Sequence, residues 1–257
     1  MSSRDLRHTD VRRISVAGFG SGSISVAPGT TDSVVEGELT ARDESFLAAV
    51  SVRQDHDHLR IQLPRTLSGS DAADLRLLVP PGLAYDIAVG SASVSITADA
   101  GPTRVASGSG DIALGSAADL VATAGSGDVS VLALTGSAAR VSTGSGDITI
   151  TEAGCAVSAK SGSGDVLIHR LHRAELRASS GSGDISVPSS SGSVVLRSAS
   201  GSLGVGIAEE LPAWLDLDSA SGDIAIELEA AGAPAEDEPF VTVRARTASG
   251  DITVYRA

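Results

Sequence analysis

Ser161-Gly162-Ser163-Gly164-Asp165-Val166-Leu167-Ile168 is one copy of a pattern that recurs about every 18 residues along the chain. The Asp slot is filled by Asp111, Asp128, Asp147, Asp165, Asp184, Asp223 and Asp251, by Ser202 in a degenerate copy and by Ser93 in a first one. Self-similarity at so short a period signals stacked repeats, each burying its apolar face against its neighbours. After the Asp slot come two aliphatic positions separated by a mostly small or polar one, as in Val166 and Ile168 or Ile185 and Val187. That alternation belongs to a strand with one buried face. A second strand precedes the corner, with inner slots such as Val157 and Ala159, Leu176 and Ala178, or Val194 and Leu196. A small inner slot often sits beside a larger one, so successive layers hold similar volumes. Arg104, Arg140, Arg177 and Arg244 fall between inner slots and are expected to face solvent. The Gly just before each Asp slot is expected at φ > 0 in a tight corner.

The predicted fold is therefore all-β: a β-solenoid of stacked two-strand coils of about 18 residues with parallel sheets. An irregular amino-terminal β cap is expected to cover one end, because terminal repeats must differ from inner ones.

The Ser-Gly-Ser-Gly-Asp-Ile/Val series from Ser107 to Val187 carries a family resemblance, as does the closing Ser249-Gly250-Asp251-Ile252-Thr253-Val254. Ile24-Ser25-Val26 followed by Leu75-Arg76-Leu77-Leu78-Val79-Pro80-Pro81-Gly82 resembles the same family's opening. Over nearly its whole length the chain resembles the bacterial "putative adhesin" domain-of-unknown-function family with β-strand repeats. The resemblance implies a β-repeat fold and no established chemistry; fold does not imply function.

Three regions follow from the pattern. Residues 1–10 read as a flexible polar tail. Residues 11–90 hold alternating stretches without the Asp repeat (Arg13–Val16, Ser23–Val26, Ser33–Leu39, Leu59–Leu63, Leu75–Val79) and read as the cap or irregular first coils. Residues 91–257 form the regular solenoid, in which one stretched repeat carries an acidic loop, 229–240. The chain's last coil, at Asp251, has no visible cap and is expected to leave an open strand edge.

Composition narrows the function. Aromatics make up 2% of the 257 residues, which argues against a stacking platform for bases or sugars. A net charge of −13 with no Lys/Arg cluster argues against nucleic-acid binding. The start lacks an apolar signal core and no run is long enough to span a membrane, and the single Cys155 fits a reducing compartment, so the expected location is cytoplasmic.

The Asp ladder is the sharpest candidate site. Carboxylates about 5 Å apart repel by roughly 1 kcal/mol per pair in water, so something must offset them. Calcium is one answer, since calcium-binding β-rolls use Gly-Gly-x-Gly-x-Asp nonapeptides. The other is a structural corner, each Asp accepting hydrogen bonds from backbone N–H groups and from Ser or Thr four residues earlier: Ser107, Thr143, Ser161, Ser180, Ser198, Ser219 or Thr247. Ser202 and Ser93 in the Asp slot favour the corner.

Asp216 and Asp218, two apart on one strand, are the carboxylate pair a glycoside-cleaving site would need. The repeat register instead places Asp218 between Arg197 and Arg246, and Asp216 beside Arg244, as exposed ion pairs. Asp55-His56-Asp57-His58 reads as a polar hairpin turn, and His169 and His172 as loop residues. Gly18-Phe19-Gly20-Ser21-Gly22 resembles a dinucleotide loop but runs into a strand where a helix is required.

The sequence thus predicts a non-enzymatic interaction or scaffold module, adhesin-like, acting by partner capture on a sheet face or by end-to-end self-assembly. It predicts no catalytic, cofactor or metal residues, no nucleic acid and no membrane insertion; the partner is an unknown protein or the chain itself. A calcium-stabilised exported adhesin is the alternative, and a carbohydrate-active β-helix enzyme the third reading.

Overall fold

The computed structural model describes residues 2–31, 33–64, 72–209, 211–229 and 239–257. It divides into two compact units, 1–129 and 130–257. Most of the acidic stretch expected at 229–240, residues 230–238, lies outside the described residues. The regular coils with Asp111 and Asp128 fall in the first unit, so the division does not follow the change of pattern at residue 90.

In the first unit the chain runs β1 (Ser2–Thr9), β2 (Arg13–Phe19), β3 (Ser21–Pro28), β4 (Val34–Ala41), α1 (Glu44–Ala49), β5 (Ser51–Asp55) and β6 (His58–Gln62). It continues with β7 (Ala72–Val79), β8 (Leu83–Val89), β9 (Ser93–Ser107), β10 (Ile112–Ala117) and β11 (Leu120–Ala124). One wall of the solenoid has the order β5-β6-β2-β8-β9-β11, parallel except for the β5–β6 hairpin. The other is β1-β4-β7-β3-β9-β10, with β4 antiparallel to both β1 and β7. Long β9 turns the corner and serves both walls.

Residues 2–9 are a strand and not part of a flexible tail. Ser2–Thr9 form an edge strand in register with Val34–Ala41, and Leu6 reaches the core. The signal was weak because only one side chain of that strand is fully buried. Helix α1 is also absent from the sequence reading. Asp43 caps it by accepting the Ser45 N–H at 2.9 Å, and it buries Phe46 and Leu47. The Asp55–His58 stretch is a hairpin turn with His56 at φ 54°, as the sequence indicates.

The second unit holds β12 (Val129–Leu134), β13 (Ala138–Thr143), β14 (Ile148–Ala153), β15 (Ala156–Ser161), β16 (Val166–Leu171), β17 (Glu175–Ser180) and β18 (Ile185–Ser190). There follow β19 (Ser193–Ser198), β20 (Leu203–Ile207), β21 (Ala213–Ser219), β22 (Ile224–Glu227), β23 (Val241–Thr247) and β24 (Ile252–Arg256). The walls are β13-β15-β17-β19-β23-β21 and β14-β16-β18-β20-β24-β22, parallel throughout. His169 lies within β16, not in a loop.

The coils do not follow chain order. After β19/β20 the chain skips a rung to lay down β21/β22, then returns to insert β23/β24 between them. The expected open edge at Asp251 is therefore filled, and the open coil carries Asp223. The first unit does the same with β2/β3, which lie between β6/β7 and β8/β9.

The core is a column of aliphatic slots. Ile148, Ala159, Ile168, Leu176, Val187, Val194, Val205, Val243 and Val254 are fully buried, each aliphatic side chain worth about 1.5–3 kcal/mol on burial. The corner glycines are required for a reason other than the one the sequence suggests. None of them has a positive φ; among the described glycines that belongs to Gly18, Gly22 and Gly82. A Cβ on Gly183 would instead lie 2.1 Å from the Gly164 carbonyl oxygen, and one on Gly201 would lie 1.9 Å from that of Gly183. The rungs stack backbone on backbone at the corner. No helix among the described residues is long and apolar enough to cross a membrane.

Candidate functional site

At five of the corners the exposed Asp carboxylate accepts the backbone N–H of the Asp slot on the adjacent coil. Asp128 N donates to Asp111 Oδ1 at 3.0 Å in the first unit. In the second unit Asp165 N donates to Asp147 (2.8 Å), Asp184 N to Asp165 (2.8 Å) and Ser202 N to Asp184 (2.7 Å). Asp251 N then donates to Ser202 Oγ at 3.3 Å, and Asp223 N to Asp251 Oδ1 at 2.9 Å. Each such contact is a charge-assisted hydrogen bond where Asp accepts, and it offsets the repulsion along the ladder. Asp223, on the open coil, has no further rung to accept from among the described residues.

Five of the hydroxyls four residues earlier serve the backbone, not the carboxylates. Ser180 Oγ accepts the Gly183 N–H at 2.9 Å and donates to the Gly164 carbonyl at 3.0 Å, so it ties a corner to the rung before it. Ser161, Ser198, Ser219 and Thr247 repeat the arrangement. Among the described residues no three His, Cys, Asp or Glu side chains come together to hold a metal ion. Cys155 is buried.

The outer face of the β13–β21 wall carries charge in two lanes. Register places Arg140, Ser158, Arg177, Val195, Arg244 and Asp216 in one lane. Ser142, Lys160, Ser179, Arg197, Arg246 and Asp218 form the other. From β13 to β19 each rung bears one cation, alternating between lanes, so like charges do not stand opposite one another. Because the last coil is inserted, Arg246 rather than Asp218 neighbours Arg197. Asp216 lies 3.6 Å from Arg246 and 3.9 Å from Arg244. These pairs are exposed, as the sequence leads one to expect, and worth little. Arg104 stands beside Val121 in the first unit.

The open coil is the feature the sequence placed wrongly. Among the described residues β21 pairs with β23 alone and β22 with β24 alone, so each has one edge whose backbone N–H and C=O groups no described strand pairs. Ile224 and Ile226 are 44% and 53% exposed, whereas Ile252 and Val254, in the same slots one rung in, are fully buried. Trp214, 50% exposed, flanks the coil beneath Arg244, whose guanidinium carbon is 5.6 Å from the ring centre.

A family model described as Toastrack DUF4097 matches residues 38–255. The chain belongs to the Toastrack family. Among solved structures, this Toastrack chain is similar to a "putative adhesin" from Bacteroides fragilis, at 15% identity over 98% of this chain and 96% of that one, with a TM-score of 0.52. That likeness shows a shared fold. A "putative lipid binding protein" from Parabacteroides distasonis matches at 16% identity over the same shares with a TM-score of 0.47, and a "putative adhesin" from Parabacteroides merdae at 14% identity over 98% and 95% with a TM-score of 0.37. No curated protein matches this Toastrack sequence.

Proposed function

We propose that this Toastrack chain is a non-catalytic, adhesin-like module that works by association, and that its working surface is the open coil β21/β22. The observation that carries this reading is the exposure of Ile226, 53%, in a slot where Val254 one rung in is fully buried. Two strand edges and an apolar floor between them ask for an occupant with the same cross-section. A second copy of the chain supplies one: its own open coil offers two edges at the same separation and the same isoleucines. Burying the half-exposed Ile224 and Ile226 on each side would contribute about half of the 1.5–3 kcal/mol that full burial of an aliphatic side chain provides. The adhesin from Bacteroides fragilis that shares the fold is in keeping with a binding role.

Sedimentation velocity across a concentration series tests this. The wild-type chain is expected to associate, and the double variant Ile224→Lys/Ile226→Lys to stay monomeric with an unchanged circular-dichroism spectrum. A wild-type chain that stays monomeric at every concentration overturns the reading.

A further inference from the structure

On the outer face of the first unit's β5-β6-β2-β8 wall lies a concavity of about 420 Å³, within the range of small-molecule sites. Ser15, Ser51, Arg53, Arg60, Gln62 and Asp86 contribute its polar lining. Arg53 and Arg60 are directly opposite each other on antiparallel strands. Like charges so placed are destabilising. Neither guanidinium has a carboxylate within ion-pair distance among the described residues, and Asp86 has no cation within that distance either. Arg53 lies on an edge strand, where a charge discourages aggregation. That accounts for one arginine; it does not account for a second facing it, where a carboxylate would have paired.

The next rungs complete the site. Register runs from Arg60 through Ser15 to Asp86, so the positive and negative ends are two strand spacings apart, roughly 9–10 Å along the wall. Arg60 Nε donates to His58 Nδ1 at 3.3 Å, which assigns the proton of a neutral His58 to Nε2. That Nε2–H donates to Ser15 Oγ at 2.7 Å, leaving the Ser15 hydroxyl hydrogen to donate into the concavity. The charges therefore read as two positive at one end, a neutral donor in the middle and one negative at the other.

We propose that this concavity binds an aminoalkyl phosphate: the dianionic phosphate on the Arg53–Arg60 fork and Ser15, the ammonium on Asp86. Paired arginines match phosphate oxygens in geometry as well as in charge. The ligand's two negative charges and one positive charge match the three groups that form no ion pair among the described residues, Arg53, Arg60 and Asp86.

Isothermal titration of the full chain with O-phosphoethanolamine and with inorganic phosphate tests the proposal. O-Phosphoethanolamine is expected to bind saturably and at least fivefold more tightly than phosphate. Arg53→Ala and Arg60→Ala are each expected to weaken it at least tenfold, and Asp86→Ala to abolish the difference between the two probes. Arg104→Ala, one rung beyond Asp86 and outside the concavity, is the control and is expected not to weaken binding, since it removes a cation beside the ammonium end. Absence of saturable binding by the wild-type chain overturns the proposal, as does an Arg104→Ala loss equal to that of Arg60→Ala. Thermal melts of the variants separate loss of binding from loss of folding.

Discussion

The Asp165 carboxylate accepts the backbone N–H of Asp184, one coil further on, at 2.8 Å. It ties two rungs together where the chain turns, and the same bond recurs wherever an Asp-slot carboxylate faces another rung in the second unit. The ladder is therefore directional: each carboxylate serves the coil above it. Removing the acceptor by Asp165→Ala should cost about 1 kcal/mol in urea unfolding, while Asp165→Asn, which keeps an acceptor, should cost less. Asp223→Ala should be nearly neutral, because no rung lies beyond it among the described residues. A chelator should leave the melting temperature where it is; a fall of several degrees would return calcium to the ladder.

Buried hydroxyls should divide into two classes. Ser180 Oγ bridges two backbone groups, and Ser180→Ala should cost about 1–3 kcal/mol by leaving them unpaired. Ser107 Oγ and Tyr85 OH are buried with no hydrogen-bond partner. Ser107→Ala and Tyr85→Phe should therefore be neutral or stabilising, up to about 1 kcal/mol. Burial also drives the Tyr85 phenol well above its usual pKa. Chemical denaturation of the three variants side by side checks the contrast.

Gly183→Ala should be among the most damaging single substitutions. Its Cβ would meet a backbone carbonyl at 2.1 Å, which no rotamer relieves. A loss of about 3 kcal/mol or more is expected from such overpacking. Gly20→Ala, with open space around it, should be tolerated. Melting temperatures of the two variants give the comparison.

His58 should titrate below the usual histidine value of 6.5. Partial burial is the main cause, followed by the positive charges of Arg60 and Arg13. Since the folded state holds its proton less tightly than the unfolded state, stability should fall as pH drops from about 6.5 through the folded-state pKa. An NMR titration of the imidazole should show the depressed midpoint, and Arg60→Ala should raise it. A midpoint at or above 6.5 in the wild-type chain would contradict this.

How much of this was legible in the linear pattern depends on the range of the contacts involved. Slots such as Leu176 and Ala178 announce themselves through a period of two, since a strand with one buried face must alternate. The corner glycines were visible as well, but their reason was not: the constraint is a carbonyl from the rung before, about 18 residues away in sequence, and not a local φ. The Asp partner was hidden for the same cause, because it lies on the adjacent coil. In the first unit β1 presents only Leu6 to the core, too little apolar periodicity to distinguish a strand from a polar tail.

By itself, then, the sequence determined the kind of layer: a two-strand coil with aliphatic slots inside, charges outside and a glycine corner. Those features arise within one repeat, from alternation and backbone stacking. Only the tertiary structure decided the order of the layers. Near-equivalent coils fit against one another in any order, so no slot in Ile224–Ile226 or Ile252–Val254 tells which of the two lies outermost. The pairing of β24 with both β20 and β22 settles that, and it leaves Ile226 rather than Val254 exposed.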